Sequence, residues 1–466
     1  VTIHHAQRWP EPKIVIAAKQ NAKPTIDNRT ISLRATDIPY RIDLVEGAMR
    51  YDGDLVWIDS LDGRHDSTRI SADGRCQRTD SGRWRMDLNV HSGSRLHPDA
   101  ELIGSLPTQI RGAFQRLQFR GPLSARGQFG FWLPDALHPT PAFDWDMVFQ
   151  LEGNRIGDVG PVRDLRGEIT MKGKQDTEAY FADGEVSIDS MHFASQQITM
   201  IRGPYAIQDG RLLLGDAIPQ PTAIPPAMPA SLNAIRGRPI GGRIYGGTAS
   251  ISGEVLLNDG AFDVVLAIAN ADMPTMLLEL GQADNTVRGK VQGQVRLEGV
   301  VGASHLLKGA GSATLSEANL YQLPLLISVF NMLRIKPSES VAFTDGSVRF
   351  TVYGDHVTFN ELKLWGDLIA LDGTGTMNRA QEVDLSFNTR VSPHNVWSYV
   401  ASPFGEDRYT LWTLNVRGPL ANPHIDRRGI DAMNGTLERL LPGMVGPETL
   451  PSEAAQWPRL RDIWTR

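Results

Sequence analysis

Hydrophobic and polar residues alternate along several short segments of this chain. The segment from Trp84 to Val90 carries Trp, Met, Leu and Val at every second position, with Arg, Asp and Asn between them. A period of two is typical of a β-strand with one dry face and one wet face. The same pattern predicts three further strands, whose dry positions are Val348, Phe350 and Val352; Val383, Leu385 and Phe387; and Trp412, Leu414 and Val416.

Short turns separate the predicted strands. Asp-Gly pairs favour tight hairpins, and helical patterns of 10–15 residues do not alternate with the strands as they would in a parallel βαβ sheet. The sequence therefore predicts a mostly β fold, in which an antiparallel sheet runs through successive hairpins. The pairs are Asp52-Gly53, Asp62-Gly63, Asp73-Gly74, Asp183-Gly184, Asp209-Gly210, Asp259-Gly260, Asp345-Gly346 and Asp372-Gly373.

Helical and linker signals divide the chain into regions. Short amphipathic helices are predicted at 323–333 and 430–440, where apolar residues recur at helical spacing and Pro follows. Residues 216–240 are rich in Pro and predict a linker or a long loop. The predicted regions are thus an N-terminal β segment (1–215), the linker (216–240), a second β region (241–427) and a C-terminal helix and tail (428–466).

Composition narrows the classes of function. The chain has 466 residues, 41% of them hydrophobic and 21% charged, with a formal net charge of −6. The apolar content is enough for a sizeable core, which argues against disorder. The sequence has no block of Lys and Arg, which argues against nucleic-acid binding. No apolar run approaches the ~18 residues of a membrane-spanning helix. Because the sequence begins at Val1, we expect that a signal peptide or an N-terminal anchor precedes it.

Catalytic and metal signatures are missing. The chain has no phosphate-binding loop, dinucleotide glycine motif, zinc-protease helix motif or serine nucleophile elbow. The pair His4-His5 is interpreted as exposed and without function. The single cysteine, Cys76, cannot form an intramolecular disulfide or build a zinc site by itself.

Two groups of aspartates need an interpretation. Asp52, Asp54 and Asp59 come closest to a calcium loop, but such loops need several oxygens within a dozen residues, so a hairpin turn is favoured. Asp144 and Asp146 are interpreted as wet-face residues of a strand. A carbohydrate-active enzyme that uses this pair is a third, disfavoured alternative for the whole chain.

The apolar stripes allow two interpretations. In a closed sandwich or barrel they would form the core. In a sheet that curls without closing they would line a trough, and a contiguous apolar surface of that kind marks a lipid or partner site. Periodicity alone favours the closed core.

The region from about Gly241 to Ala421 shifts that balance through an ordered series of motifs. The motifs are the stretch Gly289 to Gly293, the strand Leu307-Lys308-Gly309-Ala310-Gly311, the segment Leu323 to Leu333, the strand Phe343 to Phe350, and Leu371-Asp372-Gly373-Thr374-Gly375. In the order and composition of these motifs, the region resembles the C-terminal region of the AsmA-like envelope proteins, a family related to TamB and to the bridge-like lipid transfer proteins.

The resemblance implies a repeating β-groove fold, in which an elongated, twisted antiparallel sheet curls into a hydrophobic groove with a few short amphipathic helices. It implies a periplasmic protein of a diderm bacterium, anchored in the inner membrane, that moves phospholipids toward the outer membrane and supports outer-membrane integrity. No enzyme activity, cofactor or metal is implied. The expected partners are phospholipid acyl chains, the inner membrane through an anchor outside this sequence, and outer-membrane or envelope proteins.

The resemblance implies no set of catalytic residues. It implies that the apolar face of each strand lines the groove. The lining candidates are Val348, Phe350, Val352, Val383, Leu385, Phe387, Trp412, Leu414 and Val416. The alternative is a non-enzymatic envelope scaffold or adhesion protein made of closed β-sandwich modules, in which the same residues would be core.

Overall fold

A computed structural model shows a chain dominated by β-strands. It describes the backbone of residues 2–5, 14–19 and 31–33, and describes residues 40–105, 111–112, 114–115, 118–140, 142–157, 162–176, 180–193, 196–218, 237–279, 287–320, 343–366, 369–391, 413–420 and 423–428.

The 25 strands formed by these residues belong to one antiparallel sheet. The predicted fold class, a mostly β chain built as a long antiparallel sheet with few helices, is confirmed. The strands are β1 (Thr2–His5), β2 (Ile14–Lys19), β3 (Ile31–Leu33), β4 (Ile42–Asp52), β5 (Leu55–His65), β6 (Thr68–Arg78), β7 (Trp84–Leu96), β8 (Phe119–Arg120), β9 (Leu123–Trp132), β10 (Ala142–Ile156), β11 (Val162–Gln175), β12 (Tyr180–Phe193), β13 (Gln196–Gln208), β14 (Arg211–Leu214), β15 (Ile240–Ile244), β16 (Gly247–Leu256), β17 (Ala261–Asp272), β18 (Lys290–Val300), β19 (Lys308–Ser316), β20 (Phe343–Tyr353), β21 (His356–Gly366), β22 (Ile369–Asn378), β23 (Glu382–Val391), β24 (Thr413–Pro419) and β25 (His424–Arg428).

Helices are short in the described part of the chain. They include α1 (Ala100–Ser105), α2 (Met273–Glu279) and the 3-10 turns Gly215–Ala217 and Ser304–Leu306. Both α1 and α2 follow an aspartate that caps the helix, because the Asp99 and Asp272 carboxylates accept hydrogen bonds from the backbone N–H groups of Leu102 (2.7 Å) and Thr275 (3.2 Å). The helices predicted at 323–333 and 430–440 lie outside the described residues.

The chain divides into two compact units. The first comprises Val1–Phe193, Gln197–Gly241 and Ser252–Gly260, and the second comprises Ala194–Gln196, Gly242–Ile251 and Ala261–Arg466. Residues 252–260 belong to the first unit because the end of β16 pairs with β14, with Leu214 opposite Gly253 and Arg211 opposite Leu256. Most of the predicted linker lies outside the described residues, at 219–236.

Consecutive strands pair within each unit. In the first, β4 to β7 form a meander that continues through β9 to β12, because β8 is a two-residue strand and β7 pairs directly with β9. In the second, β17 to β25 form a meander in which every strand pairs with the next. These are the pairings expected of successive hairpins.

Five of the Asp-Gly pairs do not make the turns predicted for them. Asp52-Gly53, Asp209-Gly210 and Asp259-Gly260 lie at turns, whereas the pairs at 62–63, 73–74, 183–184, 345–346 and 372–373 lie inside strands. A glycine also suits a strand position where the neighbouring backbone approaches closely. A Cβ at Gly184 would overlap the carbonyl oxygen of Thr170 on β11, and one at Gly74 would overlap that of Asp87 on β7.

The close approach at Gly184 yields a stability prediction. Gly184→Ala should lower the free energy of unfolding by about 2–3 kcal/mol, because the new methyl group forces β11 and β12 apart. The control is Gly302→Ala, where φ is +84° and no atom lies within 4 Å of the added Cβ, so only backbone strain of about 1 kcal/mol is expected. Urea unfolding of both variants measures the difference. Equal shifts of the two midpoints would contradict the strand packing described.

Candidate functional site

The described lining candidates lie on one face of the second unit, which we call the lining face. Antiparallel register aligns them in three rows that each cross the strands from β20 to β24. The rows are Val348, Leu362, Gly373, Phe387 and Leu414; Phe350, Phe359, Gly375, Leu385 and Val416; and Val352, Val357, Met377, Val383 and Gly418. Three candidates share the second row, and the remaining five are divided between the other two.

Burial changes along these rows. On β20 the candidates Val348, Phe350 and Val352 are half-buried. On β23 and β24 the candidates are at most 5% exposed, and they pack in one cluster with Leu371 and Phe343. The lining face is therefore accessible on β20 and filled at β23 and β24. Trp412 lies outside the described residues.

Glycines of the two Gly-x-Gly motifs lie on the lining face. A Cβ at Gly311 would come within 2.7 Å of the Phe350 ring, and a Cβ at Gly373 would overlap the ring of Phe387. Each glycine thus makes room for an aromatic ring from the next strand, a pairing of small and large residues used to fill curved sheets. Sequence reasoning treated these glycines as motif markers and did not assign them to the face. Their direct register with aromatic positions is the signal that identifies them.

The first unit carries a second apolar face, which sequence reasoning did not propose as a site. We call it the aromatic face and define it by Phe129, Phe131, Phe143, Trp145, Met147 and Phe149. One of its rows runs through Leu88, Phe129, Trp145, Gly173 and Ala182 across β7 to β12. The period-two pattern from Phe143 to Leu151 is the signal that could have predicted it.

Aromatic contacts hold this face together while leaving it accessible. The ring centroids of Phe131 and Phe143 lie 5.1 Å apart, and those of Trp145 and Tyr180 lie 5.6 Å apart. Phe131 is 5% exposed, but the other members of the aromatic face are half-buried. Side chains in the interior of a closed sandwich would be buried throughout, so the partial exposure of the other five large residues marks an incompletely covered face.

The opposite face of the sheet is charged and cross-linked by ion pairs. Asp144 lies 2.8 Å from the Arg85 guanidinium and Asp146 lies 3.3 Å from the Lys172 ammonium, so their interpretation as wet-face residues is confirmed. Asp59 accepts two hydrogen bonds from Arg50, at 2.7 and 2.8 Å. In the described part of the chain, no group of three or more His, Cys, Asp or Glu side chains is arranged to hold a metal ion.

The ion pairs of the second unit follow the same plan. Glu361 on β21 contacts Lys363 and Arg349, and hydrogen bonds from these two side chains hold the pKa of its carboxyl below the usual value. Arg349 is the outward neighbour of Val348 and Phe350. Each strand of this region thus presents charge on one side and apolar surface on the other.

Titratable groups near the apolar faces are stabilised in their neutral forms. Burial raises the pKa of the Cys76 thiol, and the charge of Asp87 adds to the effect. Burial likewise raises the pKa of Tyr180 and of Tyr205, whose hydroxyl donates a hydrogen bond to the Thr170 carbonyl oxygen at 2.9 Å. Neutral side chains keep these faces apolar. They also leave Cys76 a poor nucleophile.

Neither a membrane-spanning helix among the described residues nor a match to a known protein adds to the description of these faces. Among the helices of the described residues, none is long and apolar enough to cross a membrane. No family model, curated protein or solved structure matches the chain.

The gradient of burial on the lining face predicts two different responses to charge. Val416→Asp should lower the free energy of unfolding by about 3–5 kcal/mol, because Val416 is 0% exposed within an apolar cluster that would desolvate the new carboxylate. Val352→Asp should lower the free energy of unfolding by only about 1 kcal/mol, because Val352 is partly exposed and the new carboxylate can reach water. Thermal unfolding of both variants tests the difference. If both unfolded the protein equally, the β20 end would be a closed core.

Proposed function

We propose that this chain binds phospholipid acyl chains on its apolar faces and acts as a bridge-like lipid transport protein between the inner and outer membranes. The observation that carries the proposal is the incompletely buried apolar surface of β20 within the lining face. Because every described strand belongs to one sheet, the described residues supply no second sheet to cover it. The aromatic face of the first unit supports the same proposal.

The energetics of lipid transfer favour such a surface. Exposing an acyl chain of ~16 carbons to water costs about 12 kcal/mol at ~0.8 kcal/mol per methylene group, so unaided passage through water is slow. An apolar face removes most of this barrier. Transfer between bilayer and protein is then nearly isoenergetic, and the face needs shape and apolar character rather than a specific pocket. This agrees with the mixture of Val, Leu, Phe and Met on the lining face.

The resemblance to AsmA-like proteins supplies the rest of the proposal. On this basis we propose that the protein works in the periplasm of a diderm bacterium, anchored to the inner membrane, and contributes to outer-membrane integrity without an enzyme activity. The alternative, an envelope scaffold of closed β-sandwiches, gains support from the fully buried positions on β23 and β24. The incompletely buried positions on β20 and β10 favour the lipid-binding proposal over it.

The first test is the lipid content of the purified protein. Native mass spectrometry of the 466-residue chain, purified without detergent exchange, should show more than one phospholipid per chain. Lipid extraction from the same sample identifies the class. A folded, lipid-free chain would instead favour the scaffold alternative.

The second test locates the lipid by photocrosslinking. Benzoylphenylalanine at Val352 should crosslink to phospholipid in cells, because this side chain lies on the accessible part of the lining face. The matched control is the same substitution at the adjacent Thr351, which is exposed on the charged face. We expect at least tenfold more lipid adduct at 352 than at 351. Equal labelling at the two positions would contradict binding on the lining face.

A further inference from the structure

Three arginines cluster on the charged face of the first unit, at the end of the hairpin formed by β5 and β6. Arg64 on β5 and Arg69 on β6 are directly opposite each other in the register, and Arg69 is opposite Ser94 on β7. Arg95 follows Ser94. All three arginine side chains are exposed. Like charges directly opposite each other on neighbouring strands are destabilising, so this arrangement calls for a compensating role.

These guanidinium groups differ from the ion-paired arginines of the same unit. Arg50, Arg85 and Arg126 each contact a carboxylate at 3.0 Å or less. By contrast, neither Arg64 nor Arg69 forms an ion pair or side-chain hydrogen bond with any residue that the structure describes, and the same holds for the Arg95 side chain. The cluster therefore keeps its charge available to a ligand.

The arginines surround a cavity of about 480 Å³, which Ser67, Ser94 and Asp66 also line. Three guanidinium groups and one carboxylate give this cavity a net charge of about +2. Asp43 is opposite Arg64 on β4, but it forms a 2.8 Å ion pair with Arg41. The two serine hydroxyls add neutral donors, so the lining combines positive charge with hydrogen-bond donors.

The backbone at Arg95 adopts a left-handed conformation with φ of +56°, as it does at nine other non-glycine residues of the described chain. Residues other than Gly, Asn and Asp rarely adopt this conformation. The Thr68 hydroxyl donates a hydrogen bond to the Arg95 carbonyl oxygen at 3.0 Å and stabilises the bend. Strained residues of this kind concentrate at binding sites. Here the bend sets an arginine at the edge of the cavity.

We propose that this cavity, which we call the arginine pocket, binds an oxyanion of the phosphate type. Guanidinium groups present paired N–H donors that match the oxygens of phosphate, and several of them around one cavity give affinity for a doubly charged anion. A bound phosphate would remove the repulsion between Arg64 and Arg69. The same chemistry is offered by a lipid headgroup and by a soluble phosphate ester.

The arginine pocket goes beyond the proposed acyl-chain binding, because within the first unit it lies on the side of the sheet opposite the aromatic face. Arg64, Arg69 and Ser94 alternate along their strands with Gly63, Ile70 and Gly93, which are aligned in one row of the opposite face. The acyl-chain faces and the pocket can therefore be tested separately. Loss of one function does not predict loss of the other.

Phosphate titration of the full chain tests the pocket. Isothermal titration calorimetry with inorganic phosphate at low salt should show binding that the double variant Arg64→Gln/Arg69→Gln weakens at least tenfold. The matched control is Arg50→Gln/Arg126→Gln, which removes the same charge from the same face at ion-paired positions and should change the affinity by less than twofold. Binding should weaken as NaCl is added, because the salt screens the exposed charges.

Thermal unfolding separates this role from a structural one. Without phosphate, Arg64→Gln/Arg69→Gln should unfold at the same temperature as the unsubstituted chain or higher, because a repulsive pair has been removed. Phosphate should raise the unfolding temperature of the unsubstituted chain and not that of the double variant. The proposal is overturned if phosphate does not bind, or if the double variant binds it as tightly as the unsubstituted chain.

Vesicles identify the source of the phosphate group. Flotation with phosphatidylglycerol vesicles is compared with flotation with phosphatidylcholine vesicles, using the unsubstituted chain and both double variants. Selective binding to phosphatidylglycerol that is lost only in Arg64→Gln/Arg69→Gln assigns the pocket to a lipid headgroup. Phosphate binding without this vesicle dependence assigns it to a soluble phosphate ester.

Discussion

The structure depends on the alternation of side chains across each β-strand. A strand places successive residues on opposite faces, so a period-two sequence yields one apolar and one charged surface wherever neighbouring strands keep their register. In the second unit the register holds across β20 to β24 closely enough to align eight lining candidates in three rows. The β-bulge between Phe359 and Leu362 shifts the register of β21 locally. Both residues nevertheless remain in rows of the lining face.

Within the strands of this sheet, several glycines are required because a side chain would collide with a neighbouring strand. Gly74 and Gly184 allow a neighbouring carbonyl oxygen to approach, whereas Gly311 and Gly373 leave room for aromatic rings. At hairpin turns glycine is needed for a different reason, because the turn requires a positive φ, as at Gly53 and Gly210. This dual use explains why an Asp-Gly pair identifies a turn correctly in some places and incorrectly in others.

The fold class and the faces could be predicted from sequence because both follow from a local pattern. The dry positions on β20, β23 and β24 all lie on the face that alternation assigns to them. The degree of burial could not be predicted, since Val352 and Val416 have the same pattern and differ only in what covers them. The arginine pocket could not be predicted from the sequence either, because Arg64, Arg69 and Arg95 become neighbours only through the register of β5, β6 and β7.

The uneven burial of the lining face bears on how an acyl chain could occupy it. A face buried along its whole length could admit a lipid only by separating packed side chains, at a cost of the order of several kcal/mol. A face that is accessible at β20 can accept an acyl chain there without disturbing the cluster around Leu414 and Val416. Under the proposed function, the partly buried residues of β20 would supply the binding surface, while the buried cluster stabilises the unit. Stability and lipid access would then depend on different strands of the same three rows.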